Sequence, residues 1–177
     1  LAFWQSRKAA VEDFSANAGG RLRLAGQYLS EMIGNSKGIV DILAQLPSVA
    51  DADGQVTSYA PNTESVKPLG AELSGPERVL YDEFSTFTKV YPQFELIYYG
   101  TRDGGFVQAP DDTLSAGFDP RKRPWYEAAQ KSDGVVLTEF YQSDNGNLVT
   151  TVAKSVRRDG KLLGVVGIDI NLNALST

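Results

Sequence analysis

Leu148-Val149-Thr150-Thr151-Val152-Ala153-Lys154-Ser155-Val156, then Arg157-Arg158-Asp159-Gly160-Lys161, then Leu162-Leu163-Gly164-Val165-Val166-Gly167-Ile168-Asp169-Ile170: two β-branched runs stand on either side of an Asp-Gly pair. Such runs read as strands, and Asp-Gly supplies the positive φ values that a tight hairpin turn demands. The stretch is therefore an antiparallel hairpin, and the sequence around it repeats the pattern. Val135 to Tyr141 leads into Leu148 through Asp144-Asn145-Gly146-Asn147. Phe94 to Tyr99 leads into Gly105 to Ala109 through Arg102-Asp103-Gly104-Gly105. Serial hairpins predict an antiparallel sheet of about five strands. A long excursion, residues 110–134, separates the second strand from the third and holds a short helix around Trp125 to Lys131.

Upstream the period changes. Leu22, Ala25, Leu29, Met32 and Ile33 keep helical spacing, and Ile39, Ile42, Leu43 and Leu46 continue the stripe until Pro47. Residues 50–73 are rich in Asp, Gly, Pro, Ser and Thr and read as a surface connection. Ser74-Gly75-Pro76-Glu77 opens a second helix, with Ser74 as cap and Glu77 reaching back to it. Leu80, Phe84, Phe87 and Tyr91 form its buried face, and Pro92 ends it. Helices followed by a meander make an α+β fold. We expect residues 1–49 to be a long N-terminal helix serving signalling or dimerisation. Residues 50–177 are then the sheet-bearing module, one structural domain with that helix.

Composition narrows the chemistry. The 177 residues carry a net charge of −5, with neither cysteine nor histidine. Nucleic acid is not expected as a partner, because phosphate binding leaves a basic footprint. Thiolate zinc sites, disulfides and the commonest general base are excluded. No cofactor and no metal site is implied. An enzyme would depend on carboxylates such as Glu139, Asp144 and Asp169, a weak basis without a phosphate-cradling loop. No apolar run approaches the ~18 residues of a membrane span.

One segment combines charge, rings and stiffness: Phe118-Asp119-Pro120-Arg121-Lys122-Arg123-Pro124-Trp125-Tyr126. A fixed guanidinium can hold a carboxylate through paired hydrogen bonds, and an indole can cover apolar or cationic surface. The same residues could instead plug a core and pair with Asp119. Asp-Pro-Arg-x-Arg-Pro-Trp-Tyr, the strand Leu137-Thr138-Glu139-Phe140-Tyr141 and the closing Gly-x-Asp at Gly167 to Asp169 together resemble the Cache family of bacterial sensors. The resemblance covers residues 94–172 and is strongest to the membrane-distal module of double-Cache chemoreceptors.

That resemblance implies a PAS-like module, its long N-terminal helix beside a central sheet that cups one small ligand. It implies that Arg123 and Trp125 hold a ligand carboxylate, that Tyr141 on the following strand belongs to the same site, and that Asp169 faces an ammonium group. Two positions depart from amino-acid sensors: Phe118 stands where a Tyr is usual, and Ser143 where an Asp is usual, with Asp144 one step further. The carboxylate anchor is thus complete and the ammonium anchor is not, so the expected ligand is a small carboxylate, an organic acid or an amino acid. Binding would be reported through the N-terminal helix and the C-terminus of an inner-membrane receptor whose sensor is periplasmic, with a homodimer formed through the helix. A sensor-kinase or cyclic-dinucleotide input domain is an alternative. So is a ligand-free scaffold with a degenerate pocket.

Overall fold

A computed structural model describes residues 2–143 and 146–173, with side chains described from residue 18 onward. The chain forms two compact units, Leu1–Asn35 and Ser36–Thr177. Helix α1 spans Ala2–Ala44, so its first part is one unit and its last turns belong to the other. In the first unit, Leu22 is 74% exposed, which removes it from the expected buried stripe.

Within the second unit the hairpin that opened the sequence reading is the centre of the fold. Strands β5 (Leu148–Arg158) and β6 (Lys161–Asn171) pair from Val149 with Asn171 to Arg158 with Lys161. Asp159 and Gly160, with φ of 53° and 76°, make the two-residue turn between them. The other edge of β6 pairs with β1 (Phe94–Thr101), which pairs in turn with β2 (Phe106–Ala109). The sheet order is β2-β1-β6-β5-β3, with β4 also on β5, and every pairing is antiparallel. Among the described residues, six strands therefore replace the expected five. Val135 to Tyr141 is not one strand but two short ones, β3 (Val136–Leu137) and β4 (Tyr141–Gln142). The interruption begins at Thr138, whose hydroxyl takes the backbone N–H of Thr151 at 3.0 Å in place of a main-chain acceptor.

Strand β6 is buried from Leu163 to Ile170, covered on both faces, which is why it reads as a continuous apolar run. On one face, Tyr98, Ala153 and Val165 pack with Phe106, Trp125, Tyr126 and Ala129. Residues of opposite parity, Ile97, Tyr99, Val152, Val166 and Ile168, are fully buried on the other. Helix α3 (Gly75–Val90) lies against β1 and β2, while α4 (Pro124–Ala129) lies against β5, β3 and β6. The end of α1 meets the sheet through Lys154, whose Nζ is 2.6 Å from Asp41. Lys154 thus ties β5 to the helix, an interaction worth no more than about 1 kcal/mol where solvent reaches it.

Other boundaries differ from the sequence reading for identifiable reasons. Pro47 does not merely stop α1; it starts the short helix α2 (Pro47–Asp51), where its missing N–H costs nothing. Ser74 has the extended backbone of a cap but makes no side-chain cap bond. Glu77 turns instead to the backbone N–H of Thr57, pinning the 50–73 connection. That connection is further fastened by bridges from Ser58 to Gly105 and from Val66 to Leu114. Ile42 is 56% exposed, and Val40 takes its place in the core.

Candidate functional site

The excursion between β2 and β3 is built around a buried carboxylate. Asp119 is 7% exposed. It accepts the backbone N–H of Arg121 at 3.1 Å, and that residue's Nε and Nη2 at 2.9 and 2.8 Å. The Arg121 guanidinium holds the Asp119 carboxyl below the usual carboxylate range. This clamp closes a single 3-10 turn, Pro120–Lys122, after which Arg123 is extended at φ −89° and ψ 142°. A residue before proline is pushed to that region, and Pro124 then occupies the first position of α4. The two prolines and the Asp119–Arg121 clamp therefore set where Arg123 leaves the chain. Asp119 and Pro120 thus shape the turn.

Trp125 and Tyr126, the next two residues, are buried. The Trp125 ring lies 4.7 Å from Tyr98 and 6.5 Å from Phe106, so the indole belongs to the core on one side. Together with Tyr98 and Phe106 it also lines a cavity of about 300 Å³. Tyr98 and Tyr99, adjacent on β1, point to opposite faces, and only Tyr98 reaches that cavity.

A second buried carboxylate forms the cavity floor. Asp169 is 7% exposed and accepts three hydroxyl hydrogen bonds. Tyr98 donates to Oδ1 at 2.7 Å and Thr151 to the same oxygen at 2.6 Å, while Tyr141 donates to Oδ2 at 3.0 Å. Burial raises the Asp169 pKa above the ordinary carboxylate value; the three hydroxyls oppose the rise, and the charge of Glu95 adds to it. Burial also raises the Tyr98 and Tyr141 hydroxyls, with the Asp169 charge acting in the same direction, so both stay protonated and remain donors.

All six residues singled out from the sequence, Arg123, Trp125, Tyr141, Asp169, Phe118 and Ser143, line this one cavity. Arg123 stands exposed at its mouth, with its guanidinium carbon 5.7 Å above the Phe118 ring. Among the described residues no carboxylate pairs with it. Phe118 packs on Phe106 at 4.6 Å, so the ring that lacks a hydroxyl acts as a platform for the cation. Ser143 donates its hydroxyl to Glu95 at 2.8 Å. Asp144, the neighbour that might have replaced an acid at 143, lies outside the described residues. The trio Glu139, Asp144 and Asp169 is not assembled by what is described, because Glu139 is exposed and lines not this cavity but a neighbouring groove, which shares Arg123, Trp125 and Tyr141 with it.

Glu95 was not legible in the sequence. In an alternating strand it would share a face with Ile97 and Tyr99, away from the cavity. The β1–β6 register shifts between Phe94 and Leu96, and this bulge lets Glu95 and Leu96 both line the cavity. Asn147 Nδ2 donates to its other oxygen at 2.9 Å.

The profile of methyl-accepting chemotaxis protein-like first PDC sensor domains matches residues 74–177, and the chain belongs to that family. It is 46% identical over 84 residues to the methyl-accepting chemotaxis protein McpA of Pseudomonas putida, covering 46% of this chain and 13% of that protein. It is 31% identical over 153 residues to McpB of Bacillus subtilis, covering 85% of this chain and 22% of that protein. The chain thus spans less than a quarter of these relatives. The ligand-binding domain of Campylobacter jejuni Tlp3, solved with L-norvaline, is similar at TM-score 0.63 and 16% identity, over 88% of this chain and 58% of that one. That of Pseudomonas aeruginosa PctC, solved with GABA, is similar at TM-score 0.59 and 24% identity, over 86% of this chain and 59% of that one. The fold is that of chemoreceptor ligand-binding domains, with a PAS-like antiparallel sheet.

Proposed function

We propose that this chain, as a member of the chemoreceptor sensor family, binds a small zwitterion in the cavity between Arg123 and Asp169. The ligand carboxylate would lie on the Arg123 guanidinium and its ammonium group would face Asp169 and Tyr141. Trp125 would cover the carbon skeleton. The observation that carries this reading is a pair of opposite charges at one cavity of about 300 Å³: a cation at the mouth with no protein carboxylate among the described residues, and a buried anion on the floor. A guanidinium binds a carboxylate through two parallel hydrogen bonds, and each bond to a charged group contributes about 1.5–3 kcal/mol. Three hydroxyls leave Asp169 about one acceptor site, enough for one ammonium N–H. The amino acids named for the solved neighbours are ligands of this kind.

The module would sit in the periplasm, in a receptor anchored in the inner membrane, and pass binding to the membrane through α1 and its C-terminal end. It would recognise its ligand without transforming it. Leu22, Leu24 and Tyr28 leave apolar surface on α1, which suits a helix-mediated dimer. A thermal-shift screen of zwitterions, plain carboxylates and plain amines tests the reading. A ligand at 100 times its dissociation constant adds about 2.7 kcal/mol of stability. Zwitterions should shift the wild type and fail to shift Arg123→Ala, and should be recovered unaltered. No shift across all three classes would favour a scaffold with an empty pocket.

A further inference from the structure

Arg123, Trp125 and Tyr141 line both the cavity and an adjoining groove of about 570 Å³. They are the residues that would hold the carboxylate, cover the carbon skeleton and, with Asp169, meet the ammonium. A zwitterion among them lies at the junction of the two hollows, and its side chain has two ways to leave. The two differ in chemistry. Beyond the junction the cavity is polar, lined by Glu95, Gln108, Asp112, Thr113 and Ser143. These groups already bond one another: Ser143 donates to Glu95 at 2.8 Å, Gln108 Nε2 to the Asp112 carbonyl at 2.9 Å, and the Thr113 N–H to Asp112 Oδ1 at 2.7 Å. An apolar chain sent there would strip water from carboxylates and gain no bond in return. The groove instead adds Pro124, Ala128 and Phe140, with Thr138 and Glu139. Glu139, the one charge among those five, is exposed.

The broken edge of the sheet makes this groove. Thr138 to Tyr141 are four consecutive residues that all line it, whereas a regular strand sends alternate side chains to opposite faces. They span the break between β3 and β4, where Thr138 takes the N–H of Thr151. Phe140 emerges from that break 55% exposed, leaving apolar ring surface whose covering is favourable.

We propose that Phe140 is a specificity-determining residue, and that the groove it lines receives the apolar side chain of a zwitterion held at Arg123 and Asp169. This rests on the binding mode proposed above and names the ligand class within it: amino acids with extended apolar side chains. Arg123 contributes the common anchor, and Phe140, with Ala128 across the groove lining, the selection for chain length.

L-alanine, L-2-aminobutyrate, L-norvaline and L-norleucine test this directly, because each adds one methylene to the last. All four are titrated calorimetrically into the purified domain and into Phe140→Ser, Ala128→Gln and Arg123→Ala. Full burial of a methylene is worth about four-fold in affinity, and in an open groove about three-fold per methylene is expected, so the wild type should bind norleucine roughly thirty-fold tighter than alanine. Phe140→Ser removes the ring and Ala128→Gln places an amide in the groove, and in each the gain per methylene should fall below about two-fold. Both residues are exposed, and should Phe140→Ser unfold, Ala128→Gln decides alone. A wild type that gains nothing with chain length, or variants that weaken all four ligands alike and keep the wild-type gain, overturn the role of the groove. If that gain is absent while Arg123→Ala abolishes alanine binding, the zwitterion site stands without the groove. If the gain is present and lost in the groove variants while Arg123→Ala leaves every affinity intact, the carboxylate anchor is wrong and the groove stands. A wild type that binds none of the four overturns both.

Discussion

Gly167 offers a test of how the sheet holds the site. It lies on β6 opposite Tyr98 of β1, and the tyrosine ring rests over it. A Cβ at this position would fall against the ring edge, 2.7 Å from Cζ and 3.0 Å from the hydroxyl oxygen. On its core side the ring has little room to retreat. It is 3% exposed, with Trp125 at 4.7 Å and Phe106 at 5.7 Å. Gly167→Ala must therefore displace Tyr98 from Asp169, breaking a 2.7 Å bond, or spread β1 from β6. Overpacking of a core costs about 1–3 kcal/mol and a lost bond to a charged group about 1.5–3 kcal/mol, roughly 2–5 kcal/mol together for coupled sites. For a domain of this size each kcal/mol lowers Tm by about 2–4 °C, so a fall of roughly 5–20 °C is expected. Thermal unfolding followed by circular dichroism reads it, with Gly38→Ala as control. No atom meets a Cβ at Gly38, and alanine in a helix gains up to about 1 kcal/mol over glycine. Zwitterion binding should fall in parallel, since Tyr98 and Trp125 share the cavity wall. A Gly167→Ala Tm within a degree of wild type, with unchanged binding, would refute the close packing of Tyr98 on β6.

Three further outcomes follow from the same geometry. Asp119→Ala removes the clamp on the Pro120–Lys122 turn and should cost about 1–3 kcal/mol in denaturant unfolding, with weaker ligand binding because Arg123 is no longer aimed. Trp125→Ala opens the core and the cavity wall together and should cost about 3–5 kcal/mol in the same measurement. The pKa of Asp169 is raised in the fold, so its ionised form disfavours folding. Ligand-free stability should increase as pH falls from above that raised value towards the ordinary carboxylate value, whereas affinity for amine-bearing ligands should fall over the same interval. Calorimetry and melting against pH should show these opposite trends, and Asp169→Asn should flatten both. The Asp119 pKa is depressed, so its contribution to stability is lost only at lower pH, as it becomes protonated.

The parts of the molecule governed by local chemistry could be read from the chain. Asp159-Gly160 announced the β5–β6 hairpin because few residue pairs tolerate two positive φ values in succession. Arg123, Trp125, Tyr141 and Asp169 were legible as one site only through family resemblance; nothing in their spacing brings together residues from an excursion and two strands. What escaped the reading depended on tertiary detail. Strict alternation turns Glu95 outward, and the bulge that reverses it leaves no mark in Phe94-Glu95-Leu96. Ser74 and Glu77 match a capping box, yet Glu77 has a better partner in Thr57, twenty residues earlier. An apolar stripe fixes a helix but not its cover, so Leu22 and Ile42 were expected inside and stand exposed.

Crystallography of the domain bound to the tightest amine-bearing carboxylate from the screen would read the binding mode itself. Density in the cavity should show the carboxylate on the Arg123 guanidinium and the amine within hydrogen-bond distance of Asp169 or Tyr141. A ligand seated elsewhere, or one whose carboxylate turns away from Arg123, would contradict it.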